Sequence, residues 1–272
     1  MEILVREAHG AEDYDACVRL QREVWGLADL EITSRIQLIA TVHAGGLLLV
    51  AEGPGEGVVG FCYAFAALRG GEGHLHSDML AVRDAARRRG VGLRLKWAQR
   101  EEALRRGLRL VTWTFDPMRA ANARLNLHHL GAVAGEILPD FYAETTSALH
   151  HGLPTHRLLA RWELDSPRVV RRRSGERGAP RGAGVLVNSV TWRDGRPVSS
   201  PVRLDLAQAE LLLEIPEDWD AVCRADASLA RDWQEVVREA FERLFAGGYA
   251  AVDCVPVRGS ARYVLRKGLP EP

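Results

Sequence analysis

The stretch "SDMLAVRDAARRRGVGLRLKWAQREEALRRG", Ser77 to Gly107, passes from an apolar strand pattern through three arginines and two glycines into a helical pattern. In Arg87-Arg88-Arg89-Gly90-Val91-Gly92 the alternate glycines remove Cβ atoms where the helix begins, so main-chain N–H groups can approach a ligand closely. The positive end of the helix and the arginine charges suit a diphosphate. Two common phosphate loops do not fit: G-x-x-x-x-G-K-[ST] is absent, and the dinucleotide fingerprint needs glycine where this chain has Leu95. A plainer reading makes the glycines a packing device and the arginines a solvated corner. It leaves three cations at a helix start with no anion, which is poor electrostatics.

Outward from this junction, "EILVREA", "LLLVAE" and "VVGFCYAFAAL" alternate like strands, and Tyr14–Val24 has helical spacing. "GPGEG" between the second and third strands is turn chemistry. Past the junction, "LRLVTWTF" at 108–115 predicts a strand closed by Asp116-Pro117, and Ala120–Leu130 a helix with Gly131 at a left-handed cap. The order of strands and helices predicts a mixed sheet with crossover helices. Apolar periodicity stops in "SPRVVRRRSGERGAPRGAG", so residues 166–184 are expected to be an Arg/Gly/Pro-rich linker between a domain at 1–165 and a small α/β region at 185–272. In the latter, "VLVNSVTW", "AELLLEIP", "YAAVDCVP" and "ARYVLRKG" read as strands and Leu229–Ala246 as an amphipathic helix.

The 36 basic and 36 acidic residues balance, so no global field argues for a nucleic-acid partner. Cys17, Cys62, Cys223 and Cys254 are far apart with no C-x-x-C pair, which suits buried free thiols in a reducing compartment. No apolar run approaches the roughly 20 residues of a membrane span, and the N-terminus lacks the order of a signal peptide. The expectation is a cytoplasmic protein with no membrane partner.

Arg87, Gly90 and Gly92 behind "DMLAV" fit [QR]-x-x-G-x-[GA], and this resembles the acetyl-CoA site of the GNAT N-acetyltransferase superfamily. "NARLNLHHLGA" resembles the family's later asparagine-led helix, and the resemblance extends over about the first 165 residues. It implies an α/β fold with a mostly antiparallel central sheet flanked by helices. It also implies acetyl-CoA as co-substrate, no metal, and acyl transfer to an amine acceptor that the sequence does not identify. By this resemblance the main chain of Met79, Leu80, Ala81 and Val82 binds the pantetheine arm, beside a strand at 108–115 that splays away. A backbone N–H near Leu80 would meet the oxyanion, Arg87, Arg88, Arg89, Gly90, Val91, Gly92 and Leu93 hold the diphosphate, and Asn122 contacts pantetheine or leads its helix. Leu127 stands where many members carry an acidic tyrosine; Tyr142 either replaces it or only packs its ring.

A period of two puts His74, His76, Asp78, Leu80 and Val82 on one strand face. Asp78, through a water, is the first candidate for general base and His76 the second; a polar solvent face, or a metal site of His74, His76 and Asp78, are the alternatives. Trp113 and Phe115 share strand parity and either wall the acceptor pocket or belong to the core. The junction helix has apolar stripes on two sides, Val91/Leu95/Ala98 and Leu93/Trp97/Leu104, so Trp97 needs a cover such as the C-terminal region or a second copy in a homodimer. Two further functions compete: a non-catalytic acyl-CoA binder, which the missing tyrosine favours, and a transferase of longer acyl chains.

Overall fold

The structure, a computed structural model, describes residues 3–143, 145–147, 150–176, 184–203 and 205–268. The chain forms two compact units. The first takes residues up to Trp113 with short returns at 145–147 and 163–165; the second takes Thr114 onward, and the last passage between them falls between Asp165 and Ser166.

In the first unit β1 (Leu4–Glu7), β2 (Leu47–Gly53), β3 (Gly57–Arg69) and β4 (Glu72–Val82) pair antiparallel in that order, and β5 (Leu110–Phe115) joins β4 in parallel. Helix α1 (Gly10–Trp25) lies on one face, where its Cys17 and Leu20 join Leu48, Val50, Phe61, Tyr63, Met79 and Ala81 in a buried cluster. Helix α3 (Val91–Arg105) covers the other face, towards which Leu80 and Val82 point. Helix α2 (Arg35–His43), capped by Ser34 accepting from the Gln37 N–H, had no sequence expectation: Ile36 and Ile39 are exposed and only Leu38 is buried, so no apolar stripe marks it.

The second unit has a sheet ordered β7 (Arg157–Glu163), β6 (Val133–Leu138), β12 (Tyr249–Val257), β13 (Ser260–Lys267), β11 (Glu210–Pro216) and β8 (Val185–Leu186), with a separate hairpin of β9 (Val190–Arg193) and β10 (Arg196–Ser199). All but the β11–β8 pair are antiparallel. The amphipathic α7 (Ala227–Ala246) follows the short α6 (Trp219–Ala225) and buries Ala230, Trp233, Val237, Ala240, Phe241 and Leu244, which fall on one side of the helix. The expected linker begins as a helix, α5 (Pro167–Arg173): Ser166 Oγ caps the Val169 N–H, and Pro167 occupies the first turn, where a missing N–H costs nothing. Residues 177–183 of that segment lie outside the described residues. Strand pairing within each unit is thus mostly antiparallel, with helices packed on the strands, the α/β class expected.

All four cysteines are free and buried. Burial pushes the Cys17 and Cys254 thiols up to about 12 and Cys223 to about 11, and raises Cys62 as well. The native protein is therefore expected to react slowly with an aromatic disulfide reagent at pH 8 and to release four equivalents only in denaturant; rapid native labelling of any one thiol would contradict this burial.

Candidate active site

The ladder between β3 and β4 changes register inside the site. Tyr63 faces Met79 but Ala64 faces Ser77, so Asp78 is an inserted residue, a β-bulge. Directly paired residues share a face. Phe65 pairs with His76 and Tyr63 with Met79, which puts His76 on the α1 face, whereas Cys62–Leu80 and Ala64–Ser77 face α3. The expected single row of His74, His76, Asp78, Leu80 and Val82 is therefore corrected: the extra residue reverses the parity on either side of Asp78.

The other edge of β4 is open over the same span. Parallel pairing with β5 is confined to Leu75–Val111 and His76–Thr112, so among the described residues no strand pairs with this edge from Ser77 to Val82. Which groups point there follows from the ladder. The Arg83 N–H donates to Val59 O (2.9 Å). Alternation then turns Ala81 and Met79 towards β3, and Leu80 and Val82 outward with both their N–H and C=O groups. The Val82 carbonyl accepts from Arg87 Nε at 3.3 Å; among the described residues the outward Leu80 groups have no ladder partner.

This edge runs into the start of α3. A short 3₁₀ turn at Asp84–Ala86 is followed by Arg88 (φ 61°) and Gly90 (φ 76°), both left-handed, and the helix closes with Arg94 N–H on Gly90 O (3.0 Å). The N–H groups of Val91, Gly92 and Leu93 precede that first bond and lack intrahelical acceptors. A Cβ on Gly92 would sit 3.7 Å from Leu80 Cδ2, an ordinary contact, so helix-to-sheet packing does not require glycine there. The arginines contribute less than their number suggests: Arg87 pairs with Asp84 (2.8 Å) and Arg89 with Glu56 (3.1 Å), so the charge argument weakens and the amides carry the case. Arg88 is exposed and, among the described residues, has no ion pair.

Asp78 is solvent-accessible, yet the protein around it desolvates the carboxylate and raises its pKa above the ordinary carboxylate value. Its charge also reaches Tyr63, whose hydroxyl donates to Thr41 Oγ1 (2.8 Å). His76 is held by Thr112 Oγ1 at Nδ1 (2.9 Å) and lies against the Phe65 ring (5.1 Å). Burial, then the neighbouring His74 and Lys96, depress it to about 4. A base of that strength takes protons poorly near neutrality, whereas burial shifts the Asp78 carboxylate in the direction that favours taking one. Buried His74 sets Nδ1 on Glu72 O at 3.2 Å. Among the described residues no three His, Cys, Asp or Glu side chains stand close enough to hold a metal ion.

Behind the bulge is a polar cluster for which no expectation was made. Lys96 and Gln99 are buried on α3, and both Lys96 Nζ and Gln99 Nε2 donate to Ser77 Oγ at 3.1 Å. Trp113 is buried, as a core residue is, and its ring lies 3.7 Å from Lys96 Nζ. The only available signal was helical phase: Gln99 continues the Val91/Leu95 stripe at i+4. The partners of that stripe are mixed in the other direction too, since Ala98 is only half-buried.

Asn122 and Tyr142 belong to the second unit. Asn122 is exposed in α4 (Ala120–Ala123), which continues as a π-helical turn over Arg124–His129, closed by Leu130 N–H on Leu125 O (3.0 Å). The wider turn separates two asparagines that regular helical spacing, four residues apart, would put on one side: Asn126 is buried while Asn122 is exposed. Leu127, which the sequence resemblance sets where many members carry a tyrosine, is fully buried. Tyr142 is half-exposed, hydrogen-bonds Thr114 Oγ1 (3.2 Å), and lies over the guanidinium of Arg157 (5.2 Å). Phe115 is buried.

Residues 12–131 match the family described as Acetyltransferase (GNAT) family. Similar solved structures include the ribosomal-protein-S18-alanine N-acetyltransferase of Escherichia coli (14% identity, 61% of this chain and 96% of that one, TM-score 0.48). Others are a Salmonella typhimurium protein solved with its cofactor acetyl-CoA (18%, 61% and 96%, 0.47) and the acetyltransferase of GNAT family from Streptococcus pneumoniae (19%, 59% and 98%, 0.46). Among curated proteins none matches the chain.

Proposed function

We propose, from the match of residues 12–131 to the acetyltransferase (GNAT) family, that the chain is a member of that family and moves an acetyl group from acetyl-CoA to an amine by direct attack on the thioester. The observation that supports this reading is the open edge of β4 at Ser77–Val82, leading into the amides of Val91, Gly92 and Leu93, which lack intrahelical acceptors. In the proposal, the main chain of Met79, Leu80, Ala81 and Val82 lines the pantetheine arm. The amides of Gly90–Leu93, with Arg87, Arg88 and Arg89 around them, receive the diphosphate.

The acceptor reacts as the neutral amine. Its lone pair forms the C–N bond, the carbonyl oxygen gathers charge against the outward Leu80 N–H, and the C–S bond breaks with its electron pair leaving on sulfur. Asp78 takes the proton released from nitrogen, through a water. Its accessibility combined with a raised pKa is what that role needs. His76, neutral and anchored on Thr112, is the second candidate. Isothermal titration with acetyl-CoA, followed by coenzyme A release against a panel of small and peptide amines, tests the proposal. Absence of binding ends it.

A second reading keeps the seat and drops the chemistry. It is favoured by one observation, buried Leu127 in place of the tyrosine. Tight acetyl-CoA binding without turnover over the panel, and without any effect of Asp78→Asn, would select it; longer acyl-CoAs in the same assay define the acyl chain. Asn122 and Tyr142 enter the proposal on the resemblance and on their chemistry alone. A thiolate of pKa near the free thiol value of ~8.5 leaves without much help, so Tyr142→Phe is expected to lower kcat less than about tenfold. A fall of a hundredfold or more would make Tyr142 the proton donor.

A further inference from the structure

Lys96 is 2% exposed, a position where an ammonium is costly and an apolar side chain of similar volume would be cheaper. Its Nζ donates to Gln99 Oε1 (2.6 Å) and Ser77 Oγ (3.1 Å) and sits 3.7 Å over the Trp113 ring. Gln99 Nε2 makes the second bond to the same Ser77 oxygen (3.1 Å), and Cys62 Sγ of β3 lies 3.7 Å from it. One ammonium therefore joins α3, whose first turn is the proposed diphosphate seat, to β4 and β5.

The place on β4 is specific. Ser77 is the last residue of the first ladder register, and the next residue, Asp78, is the inserted one. An inserted residue can migrate along a strand, because shifting it by one position costs few hydrogen bonds. Such a shift would send Asp78 to the opposite face and exchange the outward Leu80 groups for inward ones. A side chain that grips Ser77 from α3 prevents it. Packing alone would not, since apolar contacts lack direction.

We infer that Lys96 is a positioning residue that fixes the β-bulge at Asp78, and through it the direction of the Asp78 carboxylate and of the Leu80 N–H. The inference rests on the acyl-transfer reading for its catalytic consequence, and on geometry alone for the bulge itself. Lys96 touches neither thioester nor amine; it acts through Ser77.

The test is Lys96→Met in the full chain. The expected result is a kcat reduced ~10- to 100-fold with KM for acetyl-CoA within about threefold, and an unfolding temperature equal to or above that of the parent. Amide hydrogen exchange across 77–80 should quicken while α1 is unchanged. Ser77→Ala should give the same kcat loss, and the double variant no further loss, because the two act as one unit. Unchanged kcat and unchanged exchange in Lys96→Met overturn the inference, as does a kcat loss that simply follows lost stability. If Lys96→Met does not fold, Ser77→Ala decides by the same two readouts. Should the parent protein bind no acetyl-CoA, the proposed function falls, while hydrogen exchange still reports whether Lys96 holds the bulge.

Discussion

Gly92→Asp is expected to weaken acetyl-CoA binding at least a hundredfold in isothermal titration while leaving the unfolding temperature unchanged or higher. Gly92 occupies the second position of α3, where a Cβ meets Leu80 Cδ2 at 3.7 Å and Val82 Cγ2 at 3.9 Å, so the side chain fits. Any residue there improves on the helix propensity of glycine, and a carboxylate in the first turn gains about 0.3–1 kcal/mol from the helix dipole. The same carboxylate would lie beside the diphosphate. At about 4 Å and an effective dielectric of 20 the repulsion is about 4 kcal/mol, and each 1.4 kcal/mol is tenfold in affinity. Gly92→Ala is the neutral control, with a smaller loss of affinity and a gain of roughly 0.5–1 kcal/mol in stability. Opposite signs for stability and binding separate a ligand seat from a packing site. Undiminished affinity in Gly92→Asp would remove the diphosphate from this corner.

Asp78→Asn is expected to cut kcat by ~10²- to 10⁴-fold with little change in KM for acetyl-CoA. The pH profile supplies a second signature. Burial raises the folded-state pKa of Asp78 above its ordinary value of 3.8, so kcat should fall on the acid side as the carboxylate protonates, at a pH higher than for an ordinary aspartate. Stability moves the other way. With the folded pKa above the unfolded one, the folded chain holds the proton more tightly, and this contribution is present at low pH and lost as pH rises through the interval between the two. Asp78→Asn should accordingly be more stable than the parent above that interval. A full-rate Asp78→Asn enzyme would pass the role of base to another group.

The strand, the glycine-rich turn and the helix of 77–107 were legible because each follows from local pattern: alternation, missing Cβ atoms, then helical spacing. The bulge was not. Inserting one residue leaves no mark in composition, and a period-two count carried across Asp78 assigns every residue before it to the wrong face. Lys96 and Gln99 escaped for a different reason, since a polar residue on a helix reads as solvated unless its partners are known, and Ser77 and Trp113 come from other strands. At Arg124–His129 the winding itself departs from 3.6 residues per turn, so spacing rules misplace Asn126. Helix α5 did carry a signal: Ser166-Pro167 is a cap followed by a first-turn proline, obscured by the arginines that suggested a linker.

The bare margin of β4 has a colloidal consequence. The outward Leu80 donor and acceptor, which among the described residues have no ladder partner, are a template for any extended peptide, including the same segment of another molecule. Occupancy by a pantetheine arm would mask that template. The empty protein is therefore the form most given to self-association, and storage with coenzyme A is the condition that should keep concentrated solutions clear.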